Sequence, residues 1–165
     1  MNISNPSQEI VQYILMGPVD INRCSLVEEL RWALRPGRVD DICNKAAADG
    51  KLEILKWILE QGYKWDDNFI CAYAAGGGHL EVLQWLRAQG CYWGLNLICG
   101  KAARFGHLEV LKWLAPQECP WKDICASAAG GGHFHILRWA LENNFPWDEN
   151  ACAEAAGGGH LEVLW

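Results

Sequence analysis

Residues 99–114 read CGKAARFGHLEVLKWL: a cysteine, paired alanines, a glycine-histidine step, and an apolar run that closes on tryptophan. The frame recurs along the chain. Counted from Cys43, Cys71, Cys99, Cys125 and Cys152, alanines stand at the third and fourth positions and glycine at the seventh, as Gly50, Gly78, Gly106, Gly132 and Gly159. Four copies place a tryptophan 14 residues after the cysteine, at Trp57, Trp85, Trp113 and Trp139, and a second one eight residues later, at Trp65, Trp93, Trp121 and Trp147. The glycines recur at intervals of 28, 28, 26 and 27 residues, a period that marks a stack of like units.

The distance from cysteine to tryptophan is 14 in all four complete copies, whereas the distance from tryptophan to the next cysteine runs 14, 14, 12 and 13. Length therefore varies in one connector only, as expected of rigid elements joined by a surface loop. The run LEVLQWLR, residues 80–87, spaces its apolar side chains as a helix does and is followed by Gly90, a suitable helix stop. Ahead of it DDNFICAYAA, residues 66–75, opens on residues that cap helix N-termini and continues rich in alanine. The Gly78-His79 step leaves room only for a tight turn between antiparallel helices. Two short helices cannot bury their apolar faces within one unit, so neighbouring units must cover them. The expected fold is an all-α helix-turn-helix repeat solenoid with short connectors, in which methyl-sized alanine faces let units approach closely.

Composition agrees with a folded chain: 165 residues, 51% hydrophobic and 21% charged. A net charge of -6 has the wrong sign for gripping phosphate backbones, so no nucleic-acid partner is expected. The first 20 residues, MNISNPSQEIVQYILMGPVD, lack a basic stretch ahead of their short apolar run, and no run approaches the length of a membrane span. No membrane partner and a cytoplasmic location are expected. Most of the ten tryptophans, 17 glycines and eight cysteines are one unit's signature multiplied.

Chemistry finds little footing. Cys71 with His79, or Cys99 with His107, offers two ligands eight residues apart with no CxxC partner, where zinc takes four. No metal, cofactor or catalytic residue is expected, since nucleophile elbows and phosphate loops are absent from the sequence. The in-phase cysteine reads as a small buried hydrophobe. Disulfides between adjacent copies are not expected, because equivalent helices pack about 8–10 Å apart, beyond bridging reach. Cys91 and Cys119 share a connector position with Tyr63 and Phe145 and read as loop packing. The histidine after four of the five turn glycines (His79, His107, His133 and His160, with Lys51 in the first copy) reads as a backbone binder, and the glycine triplets 76–78, 130–132 and 157–159 read as helix stops.

The run from Ala102 to Leu114, AARFGHLEVLKWL, resembles the ankyrin repeat. The resemblance extends over residues 24–165 as about five to six units, with LVEELRW, residues 26–32, as a weaker first copy and the last unit incomplete at Trp165. The period is shorter than the ankyrin value of about 33 and the Thr-Pro-Leu-His opening is missing, which implies reduced or absent β-hairpin fingers. Short tryptophan-rich arrays of this kind are similar to those of large DNA viruses of amoebae and some protists; for a viral chain the compartment is the host cytoplasm.

What the resemblance implies is a non-catalytic protein-protein interaction module whose first helices line a concave face. Comparison among the copies singles out positions free to differ: Lys45, Tyr73, Lys101, Arg104, Phe105 and Ser127 are the candidate contacts, with Arg104 and Phe105 the strongest anchors. Residues 1–23 are expected to form a helical cap. Within them EIVQYIL, residues 9–15, resembles the core of an F-box, which gives the alternative of a ubiquitin-ligase substrate adaptor. An uncapped last unit is expected to self-associate.

Overall fold

The alanine pairs govern how closely consecutive units approach. A computed structural model describes residues 38–60, 62–63, 69–117, 119–146 and 149–160. The cap expected over 1–23 with its F-box-like run, the weak copy at 26–32, Trp65, Trp147 and the chain end at Trp165 lie outside these residues. The described helices are α1 (Arg38–Ala48), α2 (Leu52–Glu60), α3 (Ile70–Gly76), α4 (Leu80–Ala88), α5 (Leu95–Arg104), α6 (Leu108–Leu114), α7 (Trp121–Gly130), α8 (Phe134–Glu142) and α9 (Glu149–Gly157). A single 3-10 turn, Ala115–Gln117, extends α6. Among the described residues there is no strand and no β-hairpin finger.

Odd-numbered helices are the first of each unit and stack on one another in the order α1, α3, α5, α7, α9, while each even-numbered helix packs on the helix before it. The result is an all-α helical repeat solenoid of two layers. Both alanines of the first four units are fully buried, and Cys43, Cys71, Cys99 and Cys125 are at most 1% exposed. Second helices fill the space behind them with Ile54, Leu55, Val82, Leu83, Val110, Leu111, Ile136 and Leu137. Because Ala102 is fully buried where α5 packs between α3 and α7, Ala102→Leu overpacks the interface and is expected to lower stability by about 1–3 kcal/mol. Urea denaturation measures this, with the exposed Gln84→Ala as a silent control.

The two tryptophans of a unit serve different neighbours. Trp93, in the connector before α5, meets Trp113 of the following α6 edge-on with ring centres 5.8 Å apart. Trp121, the first residue of α7, meets Trp139 of α8 at 5.5 Å and stacks on Phe145 at 3.7 Å. The Arg87 guanidinium lies over the first of these pairs, 5.2 Å from Trp93 and 5.6 Å from Trp113. Trp93 and Trp121 thus each join the outer layer of the next unit, adding aromatic contact to the alanine stack of the inner layer.

The cysteines correct the sequence expectation at one place. Cys99 and Cys119 are joined as a disulfide with Cα atoms 6.6 Å apart. Equivalent cysteines of neighbouring units are indeed not bridged. Cys119, in the connector 20 positions after Cys99, instead folds back onto the first helix of its own unit; the same spacing separates Cys71 and Cys91.

Candidate functional site

The turn histidines decide how one unit is seated on the next. His79 Nε2 donates to the Ala48 carbonyl at 3.0 Å, His107 to Gly76 at 2.8 Å and His133 to Arg104 at 2.9 Å. In each case the acceptor stands five residues after the preceding unit's cysteine, so the reading of this histidine as a neighbour-unit backbone binder holds. The second helices gain no side-chain cap from it. His135, outside the repeated frame, adds a fourth such bond, to Gly106 at 3.1 Å.

The glycines make room for these rings. Each turn glycine has φ between +70° and +86°. A Cβ on Gly106 would also lie 2.7 Å from the His133 ring. The middle glycines do more than stop a helix, since a Cβ on Gly158 would fall 2.8 Å from the Gly130 carbonyl of the unit before.

Burial pushes the His133 imidazole below its ordinary value; the positive charges of His135, His107 and His160 act in the same direction, while the bond to the Arg104 carbonyl opposes them. The sign follows from linkage: with the folded value depressed, the unfolded chain binds more protons as the medium acidifies. The His133 contribution to stability is therefore fully present above about pH 6.5 and is lost as pH falls through the lower folded value. Urea midpoints at about pH 7.5 and about pH 5.5 should show the loss, and His133→Gln should flatten that slope.

The opposite side of the first helices carries the variable positions. Residues four apart on a helix share a face. In the third unit the exposed stripe is Leu97, Lys101 and Phe105; in the second it is Phe69 and Tyr73. Phe69 is 54% exposed, Tyr73 46%, Leu97 37% and Phe105 54%. Because α3 stacks on α5, the two stripes lie side by side as one apolar band. An open cleft of about 490 Å3 at one end of the band is lined by Phe69, Tyr92, Trp93, Gly94, Leu95, Asn96 and Leu97. The Trp93 indole N–H is buried with no acceptor among the described residues. The flanking units are polar there: Asp41, Lys45 and Asp49 in the first, Asp123 and Ser127 in the fourth, Asn150 and Glu154 in the fifth.

The six positions singled out by sequence do not all converge. Tyr73, Lys101 and Phe105 belong to the band, with the Lys101 ammonium 5.7 Å from the Phe105 ring centre. The Phe105 ring also covers Gly76, 3.4 Å from where a Cβ would stand. Lys45 flanks the band and is paired with Asp49 at 3.0 Å. Arg104 turns the other way, its Nη1 3.7 Å from Glu154 Oε2, and the two side chains close over Gly130. Ser127 is half-buried. Sequence comparison passed over Phe69 and Leu97. The row two residues before each cysteine, Asp41, Phe69, Leu97, Asp123 and Asn150, held the signal.

Among the described residues no three His, Cys, Asp or Glu side chains are grouped to hold a metal ion, and no helix is long and apolar enough to cross a membrane. Residues 43–87 match the family model of ankyrin repeats (many copies). With the helix-turn-helix stack, this match supports an ankyrin-like repeat protein. The chain matches no curated protein.

Proposed function

We propose that the inner face of the array binds a protein partner, centred on the band formed by Phe69, Tyr73, Leu97, Lys101 and Phe105. Ankyrin repeats are in general protein-interaction modules and typically non-enzymatic scaffolds. The observation that carries the reading is where exposed apolar bulk gathers: of seven exposed large hydrophobic side chains among the described residues, Phe69, Tyr73, Tyr92, Leu97 and Phe105 belong to two adjacent units. Clustered exposed apolar surface marks interaction sites on soluble proteins, and aromatic side chains are the commonest anchors. Capture from cell extract followed by affinity measurement with the purified partner tests it. Phe105→Ala and Tyr73→Ala are each expected to weaken binding by about ten-fold, and Arg138→Ala, on the exposed side of α8, to leave it unchanged. Binding indifferent to both aromatic changes would sink the reading.

A second proposal is self-association through the outward side of α9. Cys152 and Ala156 are exposed, whereas their counterparts in the four preceding units are buried. Light scattering across a concentration series tests it, and a strictly monomeric protein contradicts it. Adaptor activity through residues 9–15 stays a proposal on sequence grounds. There Ile10→Asp should abolish co-purification of a ubiquitin-ligase adaptor. The net charge of -6 leads us to propose no nucleic-acid partner. Cytoplasmic residence, of the host if the chain is viral, belongs to the same reading, and in that compartment Cys99 and Cys119 would be held as thiols.

A further inference from the structure

We propose that the segment docked on the band is an amphipathic helix with one acidic residue set between two apolar ones; this rests on the inner-face reading above. The argument begins with Lys101. On α5 it stands between Leu97 and Phe105, about 6 Å along the helix axis from each, so a partner that covers both apolar side chains covers the ammonium between them. Among the described residues no carboxylate is paired with it, and the ammonium lies 5.7 Å from the Phe105 ring centre. A lysine ammonium is a donor only. Buried without a counter-charge it is strongly unfavourable. The partner must therefore bring a carboxylate to that point.

On the first helices of these two units the other cation is Arg104, and it is already matched, since it reaches Glu154. One acidic residue suffices. Outside the band the same face presents Asp41, Lys45 and Asp49 on one side, and Asp123 with the Arg104-matched Glu154 on the other, which leaves one net negative charge on each side. A second acidic residue beyond the band would meet like charge, which limits both the register and the charge of the partner. Along α5 and its C-cap residue Phe105 the order is apolar, cationic, apolar at intervals of four residues. Its complement on a helix is apolar, acidic, apolar at the same interval. Such a helix lies along the two ridges, Phe69 with Tyr73 and Leu97 with Lys101 and Phe105, and the cleft beside Phe69 and Leu97 receives one apolar side chain.

Selection of a displayed library of helical peptides, randomised on one face, against the full immobilised chain tests this. The expected consensus is a single Asp or Glu four residues from an apolar side chain on either side. A selected peptide is expected to lose about ten-fold or more in affinity on Lys101→Glu and to recover when its acidic residue is exchanged for lysine. Lys101 is exposed, and circular dichroism melts of the variant show that the fold is kept. Peptides lost on Phe105→Ala but neutral or basic in consensus, or indifferent to Lys101→Glu, overturn the acidic partner and leave the binding face standing. Peptides indifferent to Phe105→Ala and Tyr73→Ala as well, or no enrichment at all, overturn both.

Discussion

Gly106→Ala is expected to lower stability by about 3 kcal/mol, and Gly90→Ala by only about 1–2 kcal/mol. The two glycines have nearly the same backbone, φ +86° at Gly106 and φ +75° at Gly90, so a Cβ strains both alike. Their surroundings differ. Nothing lies within 4 Å of a Cβ on Gly90, whereas one on Gly106 runs into the His133 ring. Making room there moves the imidazole and breaks its 2.9 Å bond to the Arg104 carbonyl, which leaves a polar group unsatisfied at a unit interface. Urea denaturation of the two variants separates the shared backbone strain from the seating of the ring. Equal losses would show that the histidine ladder contributes nothing.

Reduction of the Cys99–Cys119 disulfide is expected to lower stability by a similar amount, about 3 kcal/mol, the loop-closure value for ends 20 residues apart. The bond ties α5 to the connector that leads into α7, and it stabilises the fold by restricting the unfolded chain, which keeps this loop closed as long as the bond is intact. Cys119→Ser should be less stable than the oxidised parent by the same margin and should not respond to dithiothreitol. Cys91→Ser, at the equivalent connector position one unit earlier, should keep the parent's response, since Cys91 takes no part in the bond. Urea midpoints with and without reductant check all three proteins. A parent unaffected by reductant would contradict the pairing.

The scaffold was readable because every unit solves the same packing problem with the same residues. Ala46, Ala74, Ala102 and Ala128 are fully buried for one reason, and their recurrence shows that reason four times. The histidine bond was readable for the same cause, as its donor and acceptor both hold fixed places in the frame. Comparison in phase is blind to contacts between different places in the frame. Cys99 pairs with a connector residue of its own unit, and aligning one cysteine with the next cannot show it. Arg104 looked like a free anchor in its own column. The missing side chain at Gly130 is what lets it lie down and reach Glu154. Phe69 and Leu97 were missed because reading forward from the cysteine begins two residues after them.

The Arg104–Glu154 contact also carries mechanical information. Its partners belong to the third and fifth units and skip the fourth. Helices stacked about 8–10 Å apart would put those units roughly 16–20 Å apart on a straight array. With both side chains more than half exposed, an ion pair of this kind contributes little energy and cannot bend the stack by itself. It forms because both side chains lie over Gly130, where the fourth unit has no side chain to hold them apart. The pair is therefore a gauge of the spacing between the third and fifth units: drawing those units apart parts the two charges.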